Sequence, residues 1–179
     1  PEKTCDAVFG MWYGKGPGVD RAGDAIKHGN AFGASPHGGV LVVAGDDHGC
    51  VSSSMPHQSD QLLQAFHMPI VAPANVAEYL EFGLYGWQLS RFSGNWVGFT
   101  ALSEIVESGA TVDLDAINAR VAAWKSNDAV TVATGYLPPA QGLHYRWPDL
   151  PSLQIEERLA HKLQAVAAFS SVNSIDRHV

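Results

Sequence analysis

Val-Leu-Val-Val-Ala-Gly-Asp-Asp-His-Gly, at residues 40–49, is an apolar run that ends in a polar turn. Every position from 40 to 44 is apolar, which is typical of a strand buried on both faces, as in a parallel sheet. In an open parallel sheet, ligands bind beyond the carboxyl ends of the strands. The stretch therefore predicts an inner strand of a parallel sheet, with a candidate site in the turn directly after it.

Shorter patterns on both sides of this run predict alternating strands and helices. Predicted strands lie at residues 7–12, 70–72 and 96–99, and predicted helices lie at residues 20–32, at residues 57–67 and after Asn75. Residues 13–18, which include three glycines and a proline, are predicted to lack regular structure. The resulting order, β-α-β-α-β-α-β, predicts an α/β fold with a mainly parallel sheet and helices on both faces.

The predicted helix after Asn75 carries two signals. Asn75 is a typical N-cap, and Glu78 completes a pair that resembles a capping box. An apolar stripe at helical spacing is formed by Val76, Leu80, Leu84 and Trp87. We expect this stripe to face the hydrophobic core.

The last third of the chain shows a different pattern. Residues 114–124 predict a helix, residues 129–134 predict a strand, and the proline-rich residues 138–151 predict an irregular linker. Ser152 is the predicted cap of a C-terminal helix. The apolar stripe of that helix consists of Ile155, Leu159, Leu163, Val166 and Phe169. Such a helix needs a partner surface, and we expect that a part of the polypeptide outside these 179 residues could supply it.

Composition and charge exclude several classes of protein. The 179 residues carry a formal net charge of -7, and their 11 Lys and Arg residues are dispersed, whereas nucleic-acid binding needs a clustered basic face. No apolar run approaches the roughly 20 residues that span a bilayer, and no signal peptide is visible. Two cysteines, Cys5 and Cys50, are too few for a disulfide framework or an ordinary iron–sulfur cluster. We expect a cytoplasmic protein that binds neither nucleic acid nor membrane.

Residues 13–21, Tyr-Gly-Lys-Gly-Pro-Gly-Val-Asp-Arg, form the first candidate site. The backbone amides and Lys15 could bind an anion at the start of a helix. The alternating glycines match neither a Walker A loop nor a dinucleotide-binding fingerprint. The alternative interpretation is a tight turn in which Lys15 and Arg21 are solvated.

Residues 45–60 form the second candidate site. The possible metal ligands in it are Asp46, Asp47, His48, Cys50, His57 and Asp60. Their spacing matches no zinc pattern, so a hydrogen-bonded loop is predicted here rather than a metal site.

Both candidate loops resemble segments of the large, fused bacterial indolepyruvate ferredoxin oxidoreductases. The most specific similarity covers residues 8–21, Val-Phe-Gly-Met-Trp-Tyr-Gly-Lys-Gly-Pro-Gly-Val-Asp-Arg. Further similar segments lie at residues 37–40, 44–48, 56–60, 85–87, 89–91, 106–108, 146–148 and 161–163. Residues 45–48 also resemble the corresponding loop of pyruvate ferredoxin oxidoreductases. The similarity therefore covers most of the chain.

The resemblance implies a three-layer α/β/α fold that belongs to a larger enzyme. Residues 1–105 would be the later part of the domain that binds the aminopyrimidine of thiamine diphosphate. Residues 106–151 would be a connecting segment and linker, and residues 152–179 a helix that leads to the next domain. An internal part of this kind would be inactive alone.

The resemblance also implies a reaction for the intact enzyme. The enzyme would oxidatively decarboxylate an arylpyruvate such as indolepyruvate, with coenzyme A as acyl acceptor and ferredoxin as electron acceptor. Thiamine diphosphate would activate the ketone carbon, and iron–sulfur clusters would carry the electrons away. The catalytic Glu, the Mg²⁺ motif and the cluster ligands would lie outside this chain. Asp46 and Asn75 fall near the spacing of that Mg²⁺ motif, but Asn75 is better explained as a helix cap.

Carried over residue by residue, the resemblance implies that this chain supplies one wall of the thiamine diphosphate site. The implied contact residues are Tyr13, Gly14, Lys15, Gly16, Gly18, Asp20, Arg21, Asp46, Asp47, His48 and His57. Our hypothesis is that Lys15 or Arg21 pairs with the substrate carboxylate.

Two other functions fit the residues when they are considered alone. One is a non-catalytic α/β module that binds a ligand or a partner protein. The other is a small metal-dependent hydrolase that uses residues 46–60. If the chain is a domain cut through its sheet, we expect it to form a homo-oligomer, because the cut exposes a strand edge and an apolar surface.

Overall fold

A computed structural model of the chain describes residues 4–144 and 153–176. Over these residues the chain contains a four-stranded sheet in which every pair of neighbouring strands is parallel. The strands are β1 (Phe9–Lys15), β2 (Gly39–Asp46), β3 (Ile70–Val71) and β4 (Val97–Leu102), in the spatial order β1-β2-β4-β3. The prediction of an α/β fold with a parallel sheet is confirmed.

Eight helices are described around the sheet. They are α1 (Gly16–Arg21), α2 (Gly23–Phe32), α3 (Asp60–Ala65), α4 (Val76–Ser93), α5 (Ser103–Val106), α6 (Leu114–Ala123), α7 (Asn127–Thr134) and α8 (Leu153–Val172). None of these described helices is long and apolar enough to cross a membrane.

Strand β2 is covered on both faces, as its unbroken apolar run predicts. Val42 and Ala44 pack on one side with Val19 of α1 and Leu63 of α3. Leu41 points to the opposite side and belongs to the larger core, which is built mainly by α4, β4 and α8. Alternate residues of one strand therefore serve two separate cores.

The ends of α4 are determined by local signals in the sequence. The Asn75 side chain accepts a hydrogen bond from the Glu78 amide (3.1 Å), and the Glu78 carboxylate accepts one from the Ala74 amide (2.7 Å). At the other end Gly94 adopts a left-handed conformation with φ 74°, which glycine tolerates without a Cβ clash. The predicted N-cap is confirmed, although Glu78 reaches Ala74 rather than the Asn75 amide of a standard capping box.

The prediction that Leu80 and Leu84 face the core is wrong. They are 48% and 39% exposed. The buried face of α4 instead carries Phe82, Tyr85 and Leu89, which pack in the larger core. Both faces of this helix are apolar, and the sheet and α8 cover the face that carries Phe82, Tyr85 and Leu89. The predicted stripe is left facing a cleft beside β1.

The prediction that residues 13–18 lack regular structure is also wrong. Strand β1 continues to Lys15, which pairs with Gly45, and α1 begins at the next residue. A Cβ on Gly14 would lie 2.6 Å from the Trp12 ring, so this glycine provides space for that ring rather than ending the strand. Pro17 lies in the first turn of α1, where a missing amide hydrogen costs no helical hydrogen bond.

Two predicted helices are shorter than the patterns indicate. The helix predicted at residues 20–32 is divided between α1 and α2 at Ala22, which has φ -90° and ψ 3°. The helix predicted at residues 57–67 is limited to α3, because His57 is paired with Asp47 in an isolated antiparallel bridge.

The prediction of a strand at residues 129–134 is wrong, because these residues form α7. Their β-branched side chains favour a strand locally. However, Ser126 and Gly135 bound the segment as helix caps, and Val130 is fully buried. Packing against α8 thus outweighs the local propensity.

The described chain covers the apolar stripe of α8 only in part, because Leu163 is 39% exposed. Phe169 is buried, with its ring 5.4 Å from that of Tyr85 and 5.5 Å from that of Phe92. Residues 138–144 contain no helix or strand, in agreement with the predicted linker. The rest of that linker, the similar segment at residues 146–148 and the predicted cap Ser152 lie outside the described residues.

A buried lysine joins α8 to the end of α2. Lys162 is fully buried and donates hydrogen bonds to the carbonyl oxygens of Asn30 (3.0 Å) and Ala31 (3.1 Å). Burial, together with the positive charge of Arg158, lowers the pKa of Lys162 to about 7. A neutral amine still has two hydrogens for the two carbonyls, so the contact survives loss of the charge.

We expect the contribution of Lys162 to stability to increase between pH 7 and about 10. The pKa is lower in the folded chain than in the unfolded chain, so over this range the unfolded chain binds more protons. The unfolding free energy of the native chain should therefore rise relative to that of Lys162→Met. Urea unfolding at several pH values measures this difference, with Lys27→Met, at an exposed position of α2, as the control. Parallel pH profiles for the native chain and Lys162→Met would contradict the expectation.

Two glycines of α4 should respond oppositely to alanine. A Cβ on Gly86 would lie 2.6 Å from Leu41 Cδ2, whereas a Cβ on Gly83 would have no described neighbour within 4 Å. Gly86→Ala should cost about 1–3 kcal/mol through overpacking. Gly83→Ala should stabilise by about 0.5–1 kcal/mol, because alanine favours a helix. Thermal unfolding of both variants tests the pair, and a loss of stability in Gly83→Ala would show that its surroundings are not open.

Candidate functional site

The two candidate segments, residues 13–21 and 45–60, meet at the carboxyl end of the sheet. Lys15, the last residue of β1, donates hydrogen bonds to the backbone oxygen and the hydroxyl of Ser52, both at 2.9 Å. Its ammonium group also lies 3.6 Å from the carboxylate of Asp47. Lys15 therefore connects the loop after β2 to the end of β1, and we call this region the rim.

Asp47 organises the loop at the rim. Its carboxylate accepts hydrogen bonds from the amides of Val51 (2.7 Å) and Ser52 (2.9 Å) and from the Ser53 hydroxyl (2.9 Å). The amides of Ser52 and Val51 hold the pKa of Asp47 far below its ordinary value. The side chain is 2% exposed, so its charge acts on the loop rather than on solvent.

The neighbouring carboxylates are also hydrogen-bonded within the chain. Buried Asp46 accepts hydrogen bonds from the amide (2.8 Å) and the hydroxyl (2.6 Å) of Ser59. Asp60 accepts one from the Thr100 hydroxyl at 2.9 Å. In residues 4–144 and 153–176, no group of three His, Cys, Asp or Glu side chains could hold a metal ion. The geometry is that of a hydrogen-bonded loop and lends no support to a metal-dependent hydrolase.

Below the rim lies an apolar cleft of about 920 Å³ between β1 and α4. The sheet forms its floor with Leu41, Val43 and Phe99. One wall is the exposed side of β1 with Met11 and Tyr13, and the opposite wall is α4. The α4 residues in that wall are Tyr79, Leu80, Gly83, Leu84 and Trp87. Lys15, Asp47 and Ser103 lie at the rim end, so the cleft joins an apolar floor to a polar end.

The predicted site residues do not all lie together. Those that line the cleft are Tyr13, Gly14, Lys15, Asp46 and Asp47. Gly16 is buried beneath His57, because a Cβ there would lie 2.7 Å from the His57 Cβ. Gly18, Asp20 and Arg21 belong to α1, and His48 is exposed; none of these four lines the cleft as described.

The wall formed by α4 is absent from the predicted site. A signal for it was present, since Leu80, Leu84 and Trp87 stand at helical spacing, but the same spacing is typical of a core-facing stripe. The Tyr79 side chain, packed edge-on against Phe99 at 5.2 Å, had no signal of its own. Only the packing of the opposite face of α4 shows that this face is open.

Comparison with protein-family models, with curated proteins and with solved structures finds no match for this chain.

Asp47→Asn should loosen the loop of the rim. An amide side chain has one acceptor oxygen, so it cannot accept all three hydrogen bonds or balance Lys15. We expect faster hydrogen exchange at the amides of Val51 and Ser52 and a lower melting temperature. Asp20→Asn, at an exposed position of α1, is the matched control.

The pH dependence of this loop has a definite sign. Because the pKa of Asp47 is lowered in the folded chain, its stabilisation is present at neutral pH and is lost as the pH falls through the acid range. For the Asp47→Asn variant, hydrogen exchange at the Val51 and Ser52 amides that is as slow as in the native chain would contradict the role given to Asp47.

Proposed function

We propose that this chain is part of a thiamine-diphosphate-dependent 2-oxoacid:ferredoxin oxidoreductase that acts on arylpyruvates, and that its rim supplies one wall of the cofactor site. The observation that carries the proposal is the contact of Lys15 with Ser52 and Asp47. It joins the two segments that most resemble the indolepyruvate enzymes at one carboxyl edge of a parallel sheet. Ligands of open parallel sheets bind at such an edge.

The aminopyrimidine ring of thiamine diphosphate fits the rim end of the cleft. Tyr13, Val43 and Phe99 are neighbours on adjacent strands, and their side chains lie on one face of the sheet. Lys15 and Gly45 form the next pair on that face, two residues closer to the carboxyl ends of the strands. The apolar and aromatic surfaces of the first three residues suit a planar ring. The bound cofactor would supply the carbanion chemistry of decarboxylation. The described residues of this chain would contribute shape, exclusion of water and the polar groups of the rim.

The two inorganic cofactors of the proposed enzyme, Mg²⁺ and iron–sulfur clusters, do not fit this chain. The carboxylates of Asp46 and Asp47 are already hydrogen-bonded to the loop, so neither is arranged to bind Mg²⁺. The two cysteines, Cys5 and Cys50, are too few for a cluster. In the proposed enzyme, Mg²⁺ and the iron–sulfur clusters would therefore be held elsewhere, and coenzyme A and ferredoxin would bind to the complete protein.

The fold supports only part of the substrate hypothesis. Lys15 is already bound to Ser52 and lies beside Asp47, so its charge is largely compensated within the loop. Arg21 lies exposed on α1. Of the two candidates, Arg21 has the more exposed charge, but it does not line the cleft, so the carboxylate of a 2-oxoacid would have to lie beside α1 for the two to pair.

A non-catalytic module that binds a ligand or a partner is the second candidate function. It is favoured by the fact that Lys15, Asp46 and Asp47 all have partners within the chain. Such a rim can contact a bound molecule through its surface, but none of these three side chains is arranged to transfer a proton.

The deciding experiment uses the gene product that contains this chain. We expect it to reduce a viologen dye with indolepyruvate, and we expect the reduction to require both thiamine diphosphate and coenzyme A. If a folded protein with intact clusters reduces no dye with any 2-oxoacid, the oxidoreductase proposal fails and the binding module becomes the better explanation.

Arg21→Ala tests the substrate contact in the same assay. Loss of a charge-assisted hydrogen bond to the substrate should raise KM for the 2-oxoacid by about tenfold or more. Lys27→Ala, which removes another exposed positive charge on the same side of the chain, should leave KM unchanged. Equal KM values in Arg21→Ala and the native enzyme would remove Arg21 from the site.

A further inference from the structure

Helices α2 and α4 end at one place, where two later segments of the chain lie against them. Gly33 follows α2 and Gly94 follows α4, and both have a positive φ. A Cβ on Gly33 would lie 2.6 Å from the Lys162 ammonium nitrogen, and a Cβ on Gly94 would lie 2.7 Å from the Leu143 carbonyl oxygen. We call Gly33, Gly94, Lys162 and residues 143–144 the junction. Both glycines precede strands, so the junction lies at the amino end of the sheet, opposite the rim.

His144 attaches the chain to the last turn of α4. Its Nε2 atom donates a hydrogen bond to the Arg91 carbonyl oxygen at 3.1 Å, and Leu143 beside it is buried in the larger core. The imidazole ring is half-buried. A neutral ring that carries its hydrogen on Nε2 can make this contact, so protonation adds a charge to the junction without adding a bond to this carbonyl.

The described charges that act on His144 are all positive. One comes from the turn before β2 and two come from α8: His37, Arg158 and Lys162. On α4 the Arg91 side chain donates to the Gly38 carbonyl oxygen at 3.3 Å, and α2 presents backbone carbonyls to Lys162. Over residues 4–144 and 153–176, no carboxylate is among the charges that act on His144 or Lys162. A second proton at the junction therefore meets like charge.

These surroundings disfavour a charged His144. Burial lowers the pKa of His144, the Arg91 carbonyl raises it, and the three positive groups lower it further, so that it lies below its ordinary value. Lys162, whose pKa is about 7, gains its own proton over the same fall in pH. Both groups bind protons less readily in the closed junction than in a released chain. The closed form is therefore favoured at high pH and is weakened as the pH falls.

We propose that the junction is an acid-sensitive latch. Protonation of His144 beside the positive groups of α8 releases residues 143–144 and the first half of α8, residues 153–162, from the ends of α2 and α4. The second half of α8 stays in place, because Phe169 is buried in the larger core. This inference goes beyond the proposed function, since it concerns the attachment of α8 and not the cofactor site at the rim.

Hydrogen exchange of the 179-residue chain tests the release. After correction for the intrinsic effect of pH on exchange, the protection of amides 157–162 should fall at least about tenfold between about pH 8 and about pH 5, because each unit by which a pKa is lowered corresponds to a tenfold change. Protection in β2 and at residues 165–172 should change much less. Equal protection of amides 157–162 at both pH values would overturn the proposal.

His144→Gln and His28→Gln form a matched pair. Glutamine at position 144 can still donate to the Arg91 carbonyl but binds no proton, so this variant should lose most of the fall in protection between about pH 6.5 and about pH 5. His28 is exposed on α2, so His28→Gln should keep the whole response. A His144→Gln chain with the native pH response would show that another group controls the release and would overturn the latch.

A nuclear magnetic resonance titration separates the effect of charge from that of packing. In the native chain the pKa of His144 should lie below about 6.5, the ordinary value for histidine. Lys162→Gln should raise it, because glutamine keeps hydrogens for the α2 carbonyls but carries no charge. A pKa of His144 at or above the ordinary value, or no upward shift in a folded Lys162→Gln chain, would overturn the latch. The first measurement needs no variant, so it holds even where Lys162→Gln fails to fold.

Discussion

Parallel pairing between β1 and β2 brings Lys15 level with Gly45, so that both strands end at the same edge of the sheet. The rest of the site depends on this register. The side chain of Lys15 can reach Ser52 and Asp47 only because the loop after β2 begins where β1 ends. A shift of one residue would turn Lys15 to the opposite face of the sheet. The register is in turn held by β2, whose alternate residues are buried in two different cores.

The electrostatics of the rim follow from that placement. A carboxylate at the position of Asp47 is desolvated, and it is compensated by two backbone amides, a hydroxyl and the nearby Lys15. The same contacts that make the loop rigid occupy its charged groups. These contacts therefore fix the conformation of the loop at the edge of the cleft. In the proposed oxidoreductase, the reactive groups would therefore have to come from the cofactor and from parts of the protein outside this chain.

Polar contacts also hold the far side of the molecule together. Buried Asn30 donates to the carbonyl oxygen of Phe66 and accepts from the Trp96 amide, while Lys162 binds the Asn30 carbonyl. Four segments of the chain meet at this point. Such a network is stable only when each buried group is paired, so the contact of Lys162 with Asn30 favours this position of α8 although its apolar stripe is only partly buried.

Local patterns in the sequence were sufficient to predict the fold class, the run of β2, the turn that follows it and the cap at Asn75. Each of these depends on residues close together in the chain. The tertiary structure alone decided which face of α4 is buried, that residues 127–134 are a helix, and that the charge of Lys15 is compensated. Lys15 and Ser52 are 37 positions apart, and Lys162 and Asn30 are 132 apart. Periodicity shows which side chains share a face of a helix or strand, but only the packed chain determines which face finds a partner.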